Sequence, residues 1–179
     1  KIFNTKMVDE LAVIDISRQR KKRGINFDFL SKFIGEAFMP IAYGGGIKNI
    51  DQVKKLFSIG YDRVILNSIT FDNQSIIKEA ANLFGTQAVI VSLDFKKSLF
   101  GNYNIFSNSG KVKERLNLED FLGFIKDSGA GEILVNSIYN DGTFNGYDLD
   151  LTRKVSSLTK IPIIACGGAR GTEDFESAI

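Results

Sequence analysis

The sequence predicts an α/β protein, namely a TIM (β/α)8 barrel built from two half-barrel repeats. Two observations predict this class: short apolar runs alternate with amphipathic runs along the 179 residues, and the chain matches itself at a displacement of 122 residues. Alternating strands and helices form parallel sheets through right-handed crossovers. We therefore expect residues 1–179 to form a single partial (β/α) barrel domain with about six strand–helix units.

Six runs rich in valine, isoleucine and leucine predict the strands. Such nearly unbroken apolar runs are typical of strands that are buried on both faces. In chain order they are Leu11–Ile16, Ile41–Tyr43, Val64–Leu66, Ala88–Leu93, Ile133–Val135 and Ile161–Ala165.

Five amphipathic segments between these runs predict helices, because their apolar residues recur at three- and four-residue spacing. One segment departs from the alternation: Lys96–Leu116 contains glycine and asparagine clusters that indicate a small hairpin. The predicted helices are Asn26–Glu36, Asp51–Ser58, Asn73–Leu83, Asn117–Ser128 and Asp148–Leu158.

The internal repeat identifies the barrel. The displacement aligns Glu10 with Glu132 and pairs Pro40 with Pro162, the two prolines of the chain. Two repeats of this length give a parent of about 245 residues, close to the roughly 250 of an eight-stranded barrel. The six strands are then the second to the seventh, and the first and eighth lie beyond the two ends. An open doubly wound sheet is the alternative.

Composition narrows the possible chemistry. The chain has no histidine, one cysteine and a net charge of +2. These counts exclude histidine-based triads, zinc sites with several soft ligands and internal disulfides. We expect neither a metal nor a cofactor, and the small net charge predicts neither a nucleic acid nor a membrane as a partner. The lone Cys166 suits a reducing, cytoplasmic location.

Glycine pairs predict phosphate binding at two places. Gly45-Gly46 and Gly167-Gly168 each follow a predicted strand and are related by the repeat. Glycine permits positive φ and lets backbone N–H groups face an anion, and the following helix adds its positive end. Asn67-Ser68 would add side-chain donors to the first phosphate. Tight turns and a helix cap are the alternative interpretations.

Asp94 is the candidate for proton transfer. It follows a long apolar run, so we expect it at the barrel mouth, where partial desolvation would raise its pKa. An ion pair with Lys96 or Lys97 is the alternative. Asp15 ends an earlier strand in the same way, and Asp141-Gly142-Thr143 follows a later one, where a simple turn is the alternative.

Three charged residues begin strands at the opposite end of the predicted barrel. Glu10, Arg63 and Glu132 precede the second, fourth and sixth barrel strands. Even-numbered strands contribute to a common layer, so these side chains should meet at the floor. A stabilising salt-bridge cluster is the ordinary interpretation, and a gated passage is the functional one.

Several motifs together resemble the cyclase subunit of imidazole glycerol phosphate synthase, the HisF family. The resemblance extends over essentially all of the chain, and the sister isomerase of histidine biosynthesis is less similar around Phe84–Asp94 and Asn145–Asp148. The motifs are Phe84–Asp94, Gly129–Leu134, Asp141–Asp148, Tyr43–Ile47 and Cys166–Ala169.

The resemblance implies a carbon–nitrogen lyase of histidine biosynthesis within a glutamine amidotransferase complex. Ammonia would come from a HisH-like glutaminase subunit at the amino-terminal face of the barrel. The substrate would be a bisphosphorylated ribulosyl-formimino aminoimidazole carboxamide ribotide. Its products would be imidazole glycerol phosphate and aminoimidazole carboxamide ribotide.

The resemblance also implies roles for individual residues. Asp94 matches one of two catalytic aspartates, and Glu10, Arg63 and Glu132 match a charged gate on the ammonia path. Gly46, Asn67, Ser68, Asp141, Gly142 and Gly168 match substrate-binding positions. With its neighbours, the predicted binding set comprises Gly45, Gly46, Asn67, Ser68, Asp141, Gly142, Thr143, Gly167 and Gly168.

Two departures keep alternatives open. The second catalytic aspartate belongs to the first barrel strand, before residue 1, and Tyr139-Asn140 stands where the family usually has Asp-Arg. One alternative is a HisF-like paralogue that supplies ammonia to a sugar acceptor in bacterial surface-polysaccharide biosynthesis. Another is a non-catalytic barrel fragment or scaffold, which the presence of Asp94 disfavours.

Overall fold

A computed structural model describes residues 3, 5, 8–16 and 24–179. Within these ranges the predicted α/β class is confirmed, because six parallel strands form one curled sheet, as in a partial TIM barrel. After the first, each of these parallel strands pairs with the parallel strand that precedes it in the chain. They are β1 (Leu11–Ile14), β2 (Ile41–Gly44), β3 (Arg63–Leu66), β4 (Val89–Lys97), β7 (Glu132–Ser137) and β8 (Ile163–Cys166).

The predicted hairpin is confirmed as an antiparallel extension of β4. Strand β4 runs three residues past Asp94, and β5 (Tyr103–Ser107) pairs with this extension. Strand β6 (Val112–Lys113) then pairs with the end of β5. The hairpin therefore rises from the carboxyl-terminal edge of the sheet, beside the predicted site.

Helices connect the parallel strands, and all five predicted helices are present. A short additional helix follows β3, so the helix predicted from Asn73 begins at Ser75. No helix in the described ranges is long and apolar enough to cross a membrane. The helices are α1 (Phe27–Ile34), α2 (Ile50–Ser58), α3 (Ile69–Asp72), α4 (Ser75–Phe84), α5 (Leu118–Asp127), α6 (Leu149–Leu158) and α7 (Thr172–Ala178), with a 3₁₀ turn at Thr86–Ala88.

The two faces of the sheet bury different layers. Side chains alternate along a strand, so Val91 and Leu93 of β4 belong to the large core on one face. Ile90 belongs to a smaller cluster on the other face, with Ala42, Ile65 and Leu134. Asp94 lies four residues after Ile90, on the same face. The smaller cluster thus lines the inside of the barrel below Asp94.

The sequence repeat is a structural repeat. Leu11 N–H donates to the Pro40 carbonyl over 3.0 Å, and Ile133 N–H donates to the Pro162 carbonyl over 3.0 Å. A displacement of 122 residues converts the first bond into the second. Each proline therefore precedes its strand at the same point, where it needs no N–H donor.

Helices α1 and α6 begin in equivalent ways. The Asn26 side chain accepts a hydrogen bond from Phe29 N–H at 3.0 Å, and the Asp148 side chain accepts one from Leu151 N–H at 3.1 Å. Both are N-caps, which satisfy a backbone donor of the first helical turn. The repeat relates these two caps as well, so the half-barrels share their helix starts.

Candidate active site

The predicted site residues lie along one edge of the sheet, where the parallel strands end. Asp15 follows β1, and its N–H donates to the Gly44 carbonyl at 2.8 Å. Asn67 follows β3, and its Nδ2 donates to the Ser92 carbonyl of β4 at 3.0 Å. These cross-strand bonds join neighbouring strand ends. The structure therefore brings the chemistry-bearing residues of successive strands to a common rim.

Asp94 is the half-buried carboxylate of this rim. Burial raises its pKa above the ordinary value, and the charge on Asp141 acts in the same direction. Hydrogen bonds from Asn136 and Asn67 lower the pKa, as does the charge on Lys96, but the net direction is upward. A carboxyl with a raised pKa is better matched to proton transfer near neutral pH.

Lys96 and Lys97 are engaged elsewhere. Lys96 Nζ donates to the Gly110 carbonyl at 2.5 Å and lies 4.6 Å from the centre of the Phe106 ring. Lys97 Nζ lies 5.3 Å from the centre of the Tyr103 ring. Both lysines contact groups of the hairpin. Among the described residues, neither lysine forms a direct ion pair with Asp94, which was the alternative interpretation.

Asn67 and Ser68 form a hydrogen-bonded pair that the hairpin closes. Ser68 Oγ donates to Asn67 Oδ1 at 3.0 Å, and the backbone N–H of Asn108 donates to Ser68 Oγ at 2.9 Å. The sequence predicts that both residues contact a phosphate. The Asn67 amide accepts from Ser68 through Oδ1 and donates through Nδ2 to the Ser92 carbonyl, so it joins the predicted phosphate edge to strand β4 two residues before Asp94.

The two predicted phosphate turns make the same close contact. Gly45 has φ of 122°, and a Cβ there would lie 2.6 Å from the Asp15 carbonyl oxygen. Gly167 has φ of 92°, and a Cβ there would lie 2.6 Å from the Ser137 carbonyl oxygen. The repeat relates both glycines and both carbonyl groups. Only glycine allows the chain to turn this close to the end of the neighbouring strand, β1 in one half and β7 in the other.

The loop after β7 folds onto the second of these turns. Gly146 N–H donates to the Gly168 carbonyl at 2.8 Å, and Asn140 Nδ2 donates to the Gly146 carbonyl at 3.1 Å. Thr143 Oγ1 donates to the Asn140 carbonyl at 2.7 Å. Asn140 thus organises the loop that carries the exposed Asp141, and sequence reasoning did not foresee this role.

The start of helix α7 is capped from within the chain. The Asp174 carboxylate accepts hydrogen bonds from the N–H groups of Arg170 and Gly171, at 2.7 and 3.1 Å. These bonds lower the pKa of Asp174. The positive helix end expected to face a phosphate beside Gly168 is therefore already occupied by the Asp174 carboxylate.

Asn136 and Cys166 complete the mouth, and sequence reasoning missed Asn136. Strand β7 continues past the predicted end at Val135, so Asn136 stands in register with Asp94 on one side and Cys166 on the other. Burial raises the pKa of Cys166, and the charges on Asp141 and Asp94 add to this effect. The available signal was the one that identified Asp94: a polar residue directly after an apolar run.

At the opposite edge, Arg63 joins the two glutamates that the repeat relates. Its guanidinium contacts Glu10 Oε2 at 3.0 Å and Glu132 Oε2 at 2.6 Å, and its Nε donates to the Gln87 carbonyl at 2.9 Å. Burial lowers the pKa of Arg63, but both carboxylates raise it and the net direction is upward. The Arg63 side chain is only 14% exposed, so this cluster is a partly buried floor.

The described residues include no cluster of three or more carboxylate or thiol groups able to hold a metal ion.

Comparison with known proteins identifies relatives of the whole chain. Residues 1–179 match the family described as "Histidine biosynthesis protein". A Leptospira interrogans protein named "Putative imidazole glycerol phosphate synthase subunit HisF" is 39% identical over 180 residues, which cover 100% of this chain and 71% of the relative. "Imidazole glycerol phosphate synthase subunit HisF" of Alkaliphilus metalliredigens is 36% identical, with 99% and 71% covered. The protein of that name from Clostridium botulinum is 37% identical, with 98% and 70% covered. This chain therefore belongs to the histidine biosynthesis protein family, and within it to the HisF group.

Proposed function

We propose that this chain acts as the cyclase subunit of imidazole glycerol phosphate synthase. It uses ammonia from a HisH-like glutaminase to convert a bisphosphorylated ribulosyl-formimino aminoimidazole carboxamide ribotide to imidazole glycerol phosphate and aminoimidazole carboxamide ribotide. The observation that carries the proposal is Asp94, a half-buried carboxylate with a raised pKa between two amide donors on the rim of a HisF-group barrel. In this role the chain is a cytoplasmic carbon–nitrogen lyase.

Asp94 is the proton-transfer group of the proposed reaction. Replacing an amine by ammonia requires that the incoming nitrogen lose a proton and the departing nitrogen gain one. The sequence contains no histidine to do this. Asp94 lies at the mouth, and the hydrogen bonds from Asn136 and Asn67 leave its charge only partly compensated against burial. Such a carboxyl can both accept and return a proton.

The two glycine turns are the proposed phosphate sites. Gly45-Gly46 with Asn67 and Ser68 would hold one phosphate, and Gly167-Gly168 would hold the other. Their equivalent contacts with the preceding strands support paired sites of one geometry. At the first site, the backbone N–H of Asn108 donates a hydrogen bond to Ser68 Oγ. Asp141, Gly142 and Thr143 would contact the substrate between the two ends.

The floor cluster is the proposed passage for ammonia. Arg63 closes the amino-terminal edge of the sheet by holding Glu10 and Glu132, and the inner apolar cluster lies between this floor and Asp94. A glutaminase docked at this face would deliver ammonia under the guanidinium. Opening the passage would require Arg63 to release at least one carboxylate.

A second candidate is the HisF-like paralogue that supplies ammonia to a sugar acceptor. The loop after β7 favours it: Tyr139 is 79% exposed, and the Asn140 amide is bonded inside the loop, where the family usually has Asp-Arg. The floor and the passage would serve both functions equally. The acceptor would differ.

Steady-state turnover tests the proposal. The protein is assayed with saturating ammonium and the bisphosphorylated ribotide, as wild type, Asp94→Asn and the matched surface control Asp150→Asn. Loss of proton transfer is expected to lower turnover by about 10² to 10⁴ in Asp94→Asn, with ligand affinity nearly unchanged. Asp150→Asn, on the exposed face of α6, should match wild type. Wild-type turnover in Asp94→Asn would remove Asp94 from the mechanism. Wild type inactive on the ribotide but active in transferring ammonia to a sugar would establish the second candidate.

A further inference from the structure

Asn136 lies beside Asp94, and the function proposed above uses it only as a hydrogen-bond donor to that carboxylate. The β4–β7 register places it directly across from Asp94. It follows Leu134 by two residues, so its side chain lies on the inner face, above the cluster to which Leu134 and Ile90 belong. Asn136 is therefore inside the barrel mouth, at the same depth as the carboxylate.

The Asn136 amide donates to the carboxylate. Its Nδ2 lies 2.9 Å from Asp94 Oδ1, the length expected for a hydrogen bond to an ionised acceptor. This bond lowers the pKa of Asp94, against the effect of burial. Since an amide does not titrate, its donor stays in place at every pH at which the carboxylate is charged.

The other end of the same amide is unsatisfied. Asn136 Oδ1 is buried, and within the described residues it has no hydrogen-bond partner. A Cβ at Gly167 would lie 3.2 Å from this oxygen, so the glycine leaves room beside it. A buried acceptor without a partner is costly. Because Oδ1 accepts no hydrogen bond, the orientation of the amide is set by the bond from Nδ2 to Asp94.

We propose that Asn136 is a positioning residue for Asp94 and serves both of its protonation states. Toward the carboxylate, Asn136 donates through Nδ2. When Asp94 has taken a proton, a half-turn of the amide presents Oδ1, which accepts the hydrogen bond from the new carboxylic O–H. The half-turn breaks no acceptor bond, because Oδ1 had none. The proposal rests on the proposed function only in so far as Asp94 moves a proton there.

Other groups around Asp94 set the background against which Asn136 acts. Asp141 faces it from the loop after β7, Lys96 from its own strand and Asn67 from the end of β3. Cys166 faces the same space from β8. The test therefore changes Asn136 alone and keeps these groups constant.

The decisive measurement is the titration of the Asp94 carboxyl carbon by carbon-13 NMR in the ligand-free protein. The signal is assigned by its loss in Asp94→Asn. Removing the donor in Asn136→Ala is expected to raise the titration midpoint by about one pH unit. Asn136→Asp keeps the shape but places a second carboxyl beside the first, and it should raise the midpoint further. Asn104→Ala, a half-buried strand asparagine on β5 that bonds to the Asn102 carbonyl, is the control and should leave the midpoint unchanged.

The pH profile of ammonia-dependent turnover is the second readout. In each Asn136 variant the limb that belongs to Asp94 should move to higher pH by the shift that NMR measures for that variant, whereas a merely structural role would lower turnover equally at all pH values. An unchanged NMR midpoint in both variants overturns the proposal whatever the activity. If Asn136→Ala does not fold, Asn136→Leu, which is close in shape, uncharged and lacks the amide donor, decides in its place. A raised midpoint in a protein whose wild type does not turn over the ribotide would uphold Asn136 as a positioning residue and refute the proposed function.

Discussion

The ion pairs of Arg63 with Glu132 and with Glu10 should contribute unequally to the free energy of unfolding. Arg63 is 14% exposed, Glu132 is 28% exposed and Glu10 is 38% exposed. Exposed ion pairs contribute about 0.2–1 kcal/mol, whereas breaking a buried pair costs about 3–5 kcal/mol. This floor lies between those limits. Because Glu132 is the closer and less exposed partner, at 2.6 Å against 3.0 Å, we expect it to carry more of the energy.

The expected coupling energies are about 1–2 kcal/mol for Arg63 with Glu132 and about 0.5–1 kcal/mol for Arg63 with Glu10. Arg63→Met alone should lower the free energy of unfolding by about 2–3 kcal/mol, since both carboxylates lose their counter-charge. This exceeds what a surface ion pair would predict, because the guanidinium is largely buried.

Urea denaturation of two double-mutant cycles measures these energies. The variants are Arg63→Met, Glu132→Gln and Glu10→Gln, singly and in pairs, at low and high salt. The Glu10 coupling should weaken more with salt, because that side chain is the more exposed. Coupling below about 0.5 kcal/mol for both pairs, the scatter of independent sites, would refute the reasoning. So would a larger coupling to Glu10 than to Glu132.

Three further predictions concern the rim and the passage. Gly168→Ala should lower the free energy of unfolding by more than about 3 kcal/mol, since a Cβ there would overlap the Gly146 carbonyl. Gly142→Ala should lower it by only about 1–2 kcal/mol, because the φ of Gly142 is 72° but no other atom lies within 4 Å of the added Cβ. Equal losses for the two variants in thermal unfolding would contradict this prediction. Asp94→Asn should be more stable than wild type at neutral pH, because a carboxyl with a raised pKa opposes folding once it is ionised. This difference in the free energy of unfolding should vanish as the pH falls through the raised pKa toward 3.8. A difference that does not change with pH in unfolding titrations would contradict the prediction. Arg63→Met should change the ratio of glutamine-dependent to ammonia-dependent turnover, and an unchanged ratio would remove the gate.

The strands and the repeat were predictable because they depend on local apolar periodicity. The runs before Asp94 and after Glu132 identify buried strands without knowledge of their neighbours. Register was not predictable in the same way, because it depends on pairing between distant segments. Asn136 faces Asp94 only because β4 and β7 pair in one register. The sequence-based end of that strand, at Val135, therefore left Asn136 out of the site.

Side-chain direction limited the site prediction further. The positions of Asn67 and Ser68 were predictable from the strand before them, but the bond from Asn67 to the Ser92 carbonyl depends on the neighbouring strand. The role of Asn140 likewise depends on the loop returning to Gly168. By contrast, the meeting of Arg63 with Glu10 followed from the rule that alternate barrel strands share a layer.

The turns at Gly45 and Gly167 are two equivalent positions at which the same substitution can be compared within one protein. Both would bring a Cβ to 2.6 Å from the carbonyl of the equivalent residue, Asp15 in one half and Ser137 in the other. The same substitution can therefore be measured twice in one protein under identical solvent, temperature and chain length. The part of the effect that the two measurements share is due to the local turn, and the difference between them reports how the surroundings of the two turns differ.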